Sequence, residues 1–171
     1  MTTRRAACSC GQLLITCEGE PVRVSMCHCL ECQRRTGSVF SNQAWFDREQ
    51  IVSTLGASTE FVRSSDAGNS VIFRFCPICG STVYWEAEGF PALVAVAVGS
   101  FADPAFPSPT HSVWEKRRHH WLKLCFDPLS RQRDKAFADC GIGRVMNDGR
   151  AFEGSPPRAE ERKKEGKREE S

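Results

Sequence analysis

The 171-residue chain lacks a long apolar run, a strong net charge and a regular helical period. No segment approaches the roughly 20 apolar residues that a membrane-spanning helix requires, so no such helix is expected. The net charge of +2 gives no electrostatic basis for nucleic acid or an anionic membrane as the main partner. The N-terminal "MTTRRAACSCG" has no apolar stretch after its two arginines, so a secretory signal peptide is not expected. These absences predict a cytoplasmic protein.

The chain contains ten cysteines, which is its most unusual feature. Disulfides are rare in a reducing compartment, so closely spaced cysteines there indicate metal ligands or catalytic thiols. A disulfide framework combined with ordinary buried cysteines is the alternative interpretation. The rest of the composition, with 26% charged and 40% hydrophobic residues, is typical of one globular domain.

Short alternating segments predict a mostly β, antiparallel domain. Leu13, Ile15 and Cys17 alternate with their neighbours at a period of two, which predicts a strand with Cys17 on its apolar face. The segment "LECQRRTG", which ends at Gly37, predicts a short helix with a glycine stop. Further strands are predicted at 22–26, 44–46, 51–55, 60–63, 71–75, 82–86, 93–98 and 113–115.

The C-terminal region has a different composition. Residues 155–171, "SPPRAEERKKEGKREES", contain six basic and five acidic residues and no aliphatic or aromatic residue beyond one alanine. Such a segment buries too little apolar area to offset the entropy of ordering. We therefore predict one domain over residues 6–128 and a poorly ordered charged tail over 129–171, with a solvated helix of mixed charge as the alternative for the tail.

Four cysteines form two close pairs that are far apart in the sequence. Cys8 and Cys10 are separated by one residue, and Cys76 and Cys79 belong to a CxxCG knuckle. Four thiolates at about 2.3 Å form a closed, tetrahedral structural zinc site. Such a site would connect the first strand to a distant hairpin, and its binding energy, on the order of 10 kcal/mol, would stabilise a small β domain.

Three more cysteines, Cys27, Cys29 and Cys32, fall within six residues of "MCHCLECQRRTG". A corner between a strand and a helix could direct all three sulfurs at one point. Three protein ligands and one open position are typical of a catalytic zinc site. An all-thiolate site suits a small thiol as the fourth ligand, because zinc lowers the pKa of that thiol and favours the nucleophilic thiolate.

Other interpretations of these cysteines remain open at this point. His28 could complete a closed site, although its place between two strand cysteines directs it to the opposite face. The pairs could share ligands differently, with Cys8 and Cys10 joining Cys27 and Cys29. The three thiols could also be free.

The sequence resembles a known family in five segments: "CSCGQLLITCEGEP", "MCHCLECQRRTGSVF", "FRFCPICGSTVYWE", "VAVGSFADP" and "HSVWEKRRHHW". Their order is that of the glutathione-dependent formaldehyde-activating enzyme and centromere protein V family, and the resemblance covers about residues 6–124. It implies an Mss4-like, zinc-containing β fold with two zinc ions per chain. By the same resemblance, Cys8, Cys10, Cys76 and Cys79 hold the structural zinc, whereas Cys27, Cys29 and Cys32 hold the second, catalytic zinc.

The resemblance also implies an activity. In the enzyme that gives the family its name, glutathione and formaldehyde condense to S-hydroxymethylglutathione, and the reaction is classed with the carbon–sulfur lyases. One branch of the family is better described as an interaction protein, so a non-catalytic zinc-stapled β module is the alternative function. Zinc-ribbon nucleic-acid binding is disfavoured by the near-neutral charge.

Several residues outside the two cysteine clusters are candidates for substrate binding. Arg34 and Arg35 closely follow the three-cysteine cluster, and a guanidinium can hold a carboxylate of glutathione in a bidentate pair; a solvated helix face is the alternative for each. Trp114 could line a pocket, although packing in the core is the more common role of a tryptophan. Cys125 and Cys140 have no partner at ligand spacing and are given no role.

Overall fold

The computed structural model describes residues 2–65 and 68–124. The predicted tail over 129–171 lies outside these residues, and so do Cys125 and Cys140. Within the described residues the chain forms ten strands, one α-helix and three 3₁₀ turns. None of its helices has the length and apolarity needed to cross a membrane.

The ten strands are distributed over the whole of the described chain. They are β1 (Thr3–Ala7), β2 (Leu14–Glu18), β3 (Arg23–Cys27), β4 (Ser41–Asp47), β5 (Ile51–Leu55), β6 (Thr59–Ser64), β7 (Ser70–Phe75), β8 (Thr82–Ala87), β9 (Leu93–Ala97) and β10 (His111–Val113). The helix α1 (Leu30–Thr36) lies between β3 and β4, and the 3₁₀ turns are Arg48–Gln50, Val98–Phe101 and Glu115–Arg117. The predicted mostly β fold with a short helix after the CHCxxC segment is therefore confirmed.

The strands form two sheets. The smaller sheet has the order β1-β2-β5, and the larger has the order β10-β3-β4-β9-β8-β7-β6. Within the described residues every strand pair is antiparallel except β10 and β3, which run parallel. The parallel pair places His111 beside Ser25 and Val113 beside Cys27, so the last strand reaches the start of the CHCxxC segment.

The main core combines apolar residues of both sheets. Ile15 and Cys17 of β2 are completely buried together with Phe46, Val83 and Val96 of the larger sheet. A second apolar cluster on the other face of the larger sheet is formed by Trp45, Val71, Phe73, Trp85, Phe90, Leu93 and Ala95. Consecutive residues of one strand therefore enter different clusters, as the period of a strand requires. The prediction that Cys17 is a buried small apolar residue is confirmed.

Two details of the sequence prediction were wrong. The strand β1, "TRRAA", was not predicted, because only Ala6 among its residues is buried and its two arginines hide the pattern. The side chain of Arg4 is only 14% exposed; it pairs with Glu20 at 2.8 Å and lies over the ring of Phe106 at 4.9 Å. The strand predicted at 113–115 ends earlier, at Val113, because the backbone turns there.

The helix α1 has the predicted start and end. Cys29 is its N-cap, and its sulfur accepts a hydrogen bond from the backbone N–H of Cys32. Gly37 follows the last turn in the left-handed conformation, with φ of 64°, and its N–H donates to the carbonyl of Gln33. A residue without a side chain is favoured in this conformation, which explains why the helix ends there.

Candidate metal centres and the cleft beside them

The first candidate centre, here the four-cysteine cluster, joins the two sheets. Cys8 and Cys10 lie in the connection between β1 and β2, whereas Cys76 and Cys79 lie in the turn between β7 and β8. Each sulfur lies within 4.8 Å of the other three, with 3.5 Å between Cys8 and Cys10 and 3.7 Å between Cys10 and Cys76. A tetrahedral zinc with sulfurs at 2.3 Å sets its ligands about 3.8 Å apart. The arrangement could therefore hold a metal ion and is compatible with zinc.

Backbone and side-chain donors are directed at the sulfurs of this cluster. The N–H of Leu13 donates to Cys8 at 3.2 Å, and the N–H of Ile78 donates to Cys76 at 3.4 Å. Hydrogen bonds from the hydroxyl and the backbone N–H of Ser81 lower the pKa of Cys79 to about 5. Because hydrogen-bond donors stabilise the thiolate over the thiol, these contacts favour the form of cysteine that binds a metal cation.

Gln12 supports the four-cysteine cluster and was not identified from the sequence. Its amide nitrogen donates to the sulfur of Cys76 at 3.2 Å and to the carbonyl of Ala57 at 2.6 Å. Its amide oxygen accepts the N–H of Ala57 at 2.9 Å. Both amide hydrogens are thus used, and the side chain is fixed. The only sequence signal was its position two residues after Cys10, which does not distinguish it from a surface glutamine.

The second candidate centre, here the cysteine triad, comprises Cys27, Cys29 and Cys32. Cys27 ends β3, Cys29 caps α1 and Cys32 lies in the first turn of α1, so a strand-to-helix corner brings them together. Their sulfurs lie within 4.8 Å of one another, and the residues are only 6–9% exposed. Val113 and Trp114 pack against them. The triad could also hold a metal ion.

The triad offers three candidate ligand atoms among the described residues. In the described part of the chain, no fourth cysteine, histidine or carboxylate has a ligand atom within this group. His28 is completely buried, but its Nε2 lies 3.2 Å from the hydroxyl of Ser112 and its ring meets Phe40 edge-on. Burial lowers the pKa of His28, which favours the neutral ring. The imidazole therefore packs between β10, which contains Ser112, and the loop after α1, which contains Phe40.

The three sulfurs differ in their protonation when no metal is bound. Hydrogen bonds from the thiols of Cys27 and Cys32 lower the pKa of Cys29 to about 2, and the N–H of Cys32 adds to this effect. The same interactions, with burial, raise the pKa of Cys27 well above its usual value. These directions favour the thiolate form at Cys29 over the other two cysteines of the triad.

Arg35 lies beside the triad, whereas Arg34 does not. The guanidinium of Arg35 donates to the hydroxyl of Ser41 at 2.6 Å and lies 4.5 Å from the ring centre of Trp85. Burial lowers its pKa, and the neighbouring Cys32 opposes this change. The Arg34 side chain is 69% exposed and pairs with Glu31. The sequence analysis gave Arg34 and Arg35 the same candidate role, whereas in the structure Arg35 is buried beside the triad and Arg34 is exposed.

Trp114, the residue after β10, packs against the triad in an unusual backbone conformation. Its φ of 59° and ψ of 38° are left-handed, which is rare for a residue with a large side chain. Strained residues of this kind cluster at functional sites. The guanidinium of Arg117 lies 4.9 Å above the Trp114 ring. Trp121, by contrast, is 59% exposed.

Gln33 attaches the segment after Trp114 to α1 and was also not identified from the sequence. Its amide nitrogen donates to the carbonyls of His28 at 2.9 Å and Arg117 at 3.1 Å. Its amide oxygen lies 3.1 Å from Nε2 of His119. One side chain thereby connects α1 to the segment that directly follows Trp114.

A cleft of about 680 Å³ lies between residues next to the four-cysteine cluster and residues next to the triad. Cys8, Ser81 and the turn at Gly80 line one side, and Arg35 and Ser41 line the other. None of the triad cysteines lines this cleft, whereas Cys8 of the four-cysteine cluster does. Arg35 lines this cleft, and Cys32 of the triad counteracts the lowering of the Arg35 pKa by burial.

Comparison with known proteins identifies a family and includes a structural likeness. Residues 3–117, more than half of the chain, match the family model described as glutathione-dependent formaldehyde-activating enzyme. No curated protein matches the chain. A crystal structure of a Rhodobacter sphaeroides protein is similar over 58% of this chain and 91% of that chain, with 20% identity and a TM-score of 0.46. A likeness with this identity and TM-score does not identify a function. The family match confirms the resemblance found in the motifs, and the chain belongs to the glutathione-dependent formaldehyde-activating enzyme family.

Proposed function

We propose that the protein is a zinc-dependent enzyme that joins glutathione and formaldehyde into S-hydroxymethylglutathione, or catalyses a closely related carbon–sulfur bond formation. The reverse reaction would class it with the carbon–sulfur lyases. The observation that carries this proposal is the cysteine triad, in which three converging sulfurs leave one coordination position without a described ligand. Membership of the family supports the choice of glutathione and formaldehyde as substrates.

The two cysteine clusters are assigned different roles. Cys8, Cys10, Cys76 and Cys79 would hold a structural zinc, since four sulfurs fill a tetrahedron. Cys27, Cys29 and Cys32 would hold a second, catalytic zinc with one open position. Zinc is favoured over harder cations because all seven ligands are soft thiolates. A cytoplasmic setting, which keeps these thiols reduced, belongs to the same proposal.

The open position determines the chemistry. Zinc bound at the triad would lower the pKa of a substrate thiol and so increase the share of thiolate near neutral pH. The substrate sulfur then forms a bond to the carbon of formaldehyde, while the π electrons of the C=O bond move to oxygen. That oxygen takes a proton, and the proton released by the thiol balances the reaction.

The surrounding residues would position the thiol and limit access of water. Arg35 is the stronger candidate for holding a carboxylate of glutathione, since no carboxylate within the described ranges forms an ion pair with it. Arg34 is the weaker candidate because Glu31 already holds its guanidinium. Trp114 and Val113 cover one side of the triad with apolar surface, which strengthens electrostatic interactions by excluding water.

Exchange NMR of a glutathione and formaldehyde mixture tests the proposal. The zinc-loaded protein is expected to accelerate exchange between free and adduct-bound formaldehyde. Cys29→Ser is expected to abolish the acceleration, whereas Cys17→Ala, which removes a buried thiol outside both clusters, is expected to keep it. Unchanged exchange rates with the wild-type protein would rule out the activity and favour the alternative, a non-catalytic zinc-stapled β module that binds a protein partner.

A second variant tests whether the triad is open. Cys125 lies outside the described residues and close in sequence to the segment that covers the triad. If it were a fourth ligand, Cys125→Ser would change the spectrum of a cobalt-substituted triad. The proposal expects Cys125→Ser to retain both the cobalt spectrum and the exchange activity of the wild-type protein.

A further inference from the structure

Gln43 of β4 is a buried polar residue to which no role has been assigned so far. Within the described residues, the buried polar side chains are Ser25, His28, Ser41 and Gln43. The first three have partners, which are Trp45 for Ser25, Ser112 for His28 and Arg35 for Ser41. No described residue forms a hydrogen bond with the side chain of Gln43, although this residue is only 8% exposed. Because buried polar side chains nearly always have a hydrogen-bond partner, an unpartnered amide is a candidate for contact with a substrate.

Gln43 lies on the same face of the larger sheet as Cys27 of the triad. Across β3 and β4, Cys27 pairs with Ser41, and Ser25 pairs with Gln43. Residues directly opposite each other share a face, and so do residues two apart on one strand, so Cys27 and Gln43 are diagonal neighbours on one face. The Cα atoms of diagonal neighbours are roughly 7–8 Å apart, a distance that a long side chain can span. The amide of Gln43 can therefore reach the space next to the Cys27 sulfur.

The two sides of the triad differ in polarity. The strand β3, which ends at Cys27, lies between β10 and β4. On the β10 side, Val113 and the next residue, Trp114, pack against the triad with apolar surface. On the β4 side, the same face carries the hydroxyl of Ser41 and the amide of Gln43. Negative charge that develops on a molecule reacting at the triad is therefore best stabilised from the β4 side, where hydrogen-bond donors are fixed in place.

The cleft provides an approach to the Gln43 amide. Ala97 of β9 pairs directly with Gln43, and Ser41 precedes Gln43 by two residues on β4. Ala97 and Ser41 both line the cleft. Because both side chains are small, an aldehyde of one carbon could approach the amide between them.

We propose that the side-chain N–H of Gln43 donates a hydrogen bond to the carbonyl oxygen of the aldehyde and stabilises the negative charge that forms there. The inference rests on the proposed function, because it names the residue that assists its bond-forming step. The thiolate sulfur of the substrate bonds to the carbonyl carbon, while the π electrons of the C=O bond move to the oxygen that Gln43 contacts. That oxygen takes a proton from water, and the proton lost by the thiol replaces it, so protons balance. A neutral amide suits this role, since it donates a hydrogen bond without transferring its own proton.

Substitution of Gln43 tests its part in catalysis. Gln43→Met removes the N–H donor with little change in side-chain length and is expected to slow the protein-catalysed exchange of formaldehyde about 100-fold. Calorimetry is expected to give the wild-type affinity for glutathione, because the lost hydrogen bond forms with the aldehyde and not with the thiol. Gln50→Met is the matched control; it removes an amide that donates to the carbonyls of Glu18 and Glu20, and it should keep the wild-type exchange rate. A wild-type exchange rate in Gln43→Met, or an equal loss of glutathione affinity, would overturn the inference.

NMR of side-chain amides tests the contact without the reaction. The probe is formamide, a one-carbon carbonyl compound that thiols do not readily attack. In the nitrogen-labelled, zinc-loaded full chain, formamide is expected to move the Gln43 side-chain N–H signal downfield, and the absence of that signal in Gln43→Met identifies it. The amides of Gln12 and Gln33 are internal controls, because both already donate hydrogen bonds to protein acceptors. An unchanged Gln43 signal, or equal shifts of all three amides, would contradict the contact.

The inference and the proposed function can fail separately. If the wild-type protein accelerates exchange and Gln43→Met does so equally, the activity stands and the role of Gln43 is wrong. If the wild-type protein does not accelerate exchange but its Gln43 signal moves with formamide, the activity is wrong and the contact with a carbonyl stands. Circular dichroism and the zinc content of each variant exclude loss of fold or of metal as the cause.

Discussion

At the scale of single residues, the environment of each thiol determines what it can do. Cys17 is completely buried, and burial raises its pKa to about 12. Cys29 is stabilised as a thiolate by three donors. Because the thiolate is the nucleophile, these two positions should behave differently even though both are cysteines.

Cys17 is expected to resist alkylation in the folded protein. Native protein treated with iodoacetamide at pH 8 should show no label on Cys17 by mass spectrometry, and unfolded protein should be fully labelled. The raised pKa also has a consequence for stability: the unfolded thiol ionises from pH 9 upward, so stability should fall between pH 9 and about 12. Cys17→Ala should remove that part of the loss, and an unchanged alkaline profile would contradict this account.

Arg34 and Arg35 provide a second prediction at this scale. Arg35→Gln is expected to raise KM for glutathione about tenfold, with a much smaller change in kcat, because the lost contact holds the substrate's carboxylate. Arg34→Gln should have a smaller effect, since Glu31 already neutralises this arginine, and Arg5→Gln on the exposed face of β1 is the control. Equal effects of the Arg34 and Arg35 substitutions in steady-state kinetics would be inconsistent with the geometry.

At the scale of elements, one side chain connects α1 to the segment that covers the triad. Gln33→Ala removes the two donated hydrogen bonds to His28 and Arg117, each worth about 0.5–1.5 kcal/mol. Amide hydrogens of residues 114–119 should then exchange faster, and KM for glutathione should rise as Trp114 loses its fixed position.

Gln50→Ala is the matched control for that change. Gln50 also donates two hydrogen bonds from its amide nitrogen, to the carbonyls of Glu18 and Glu20, but it lies on the smaller sheet's side of the molecule. It should lower overall stability by a similar amount without changing exchange at 114–119 or KM. The same exchange pattern in both variants would mean that Gln33 has only a general structural role.

The elements also indicate what can be read from the sequence. The strand β2 was predictable because Leu13, Ile15 and Cys17 recur at a period of two. β1 was not, since only Ala6 of its five residues is buried and its two arginines interrupt the apolar pattern. The cysteine spacings predicted both clusters, whereas Gln12 and Gln33 were invisible, because glutamine is common on surfaces and only tertiary contacts give these two their roles.

At the scale of the whole molecule, the four-cysteine cluster connects the small sheet to the large one. Loss of a structural zinc costs on the order of 10 kcal/mol, which is comparable with the whole stability of a domain at about 5–15 kcal/mol. Cys76→Ser is therefore expected to unfold the protein or leave it without a cooperative thermal transition. Cys29→Ser should retain the transition, because the triad lies within one strand-to-helix corner. Calorimetry distinguishes these outcomes, and similar melting of both variants would refute the division of roles.

The central claim is that the cysteine triad binds zinc with one position left for a substrate thiol. Zinc X-ray absorption of the doubly loaded protein measures this directly, because the seven cysteines of the two clusters give an average of about 3.5 sulfurs per zinc. Addition of glutathione is expected to raise the average to about 4, by one sulfur on one of the two ions. An average that does not change with glutathione would contradict the claim.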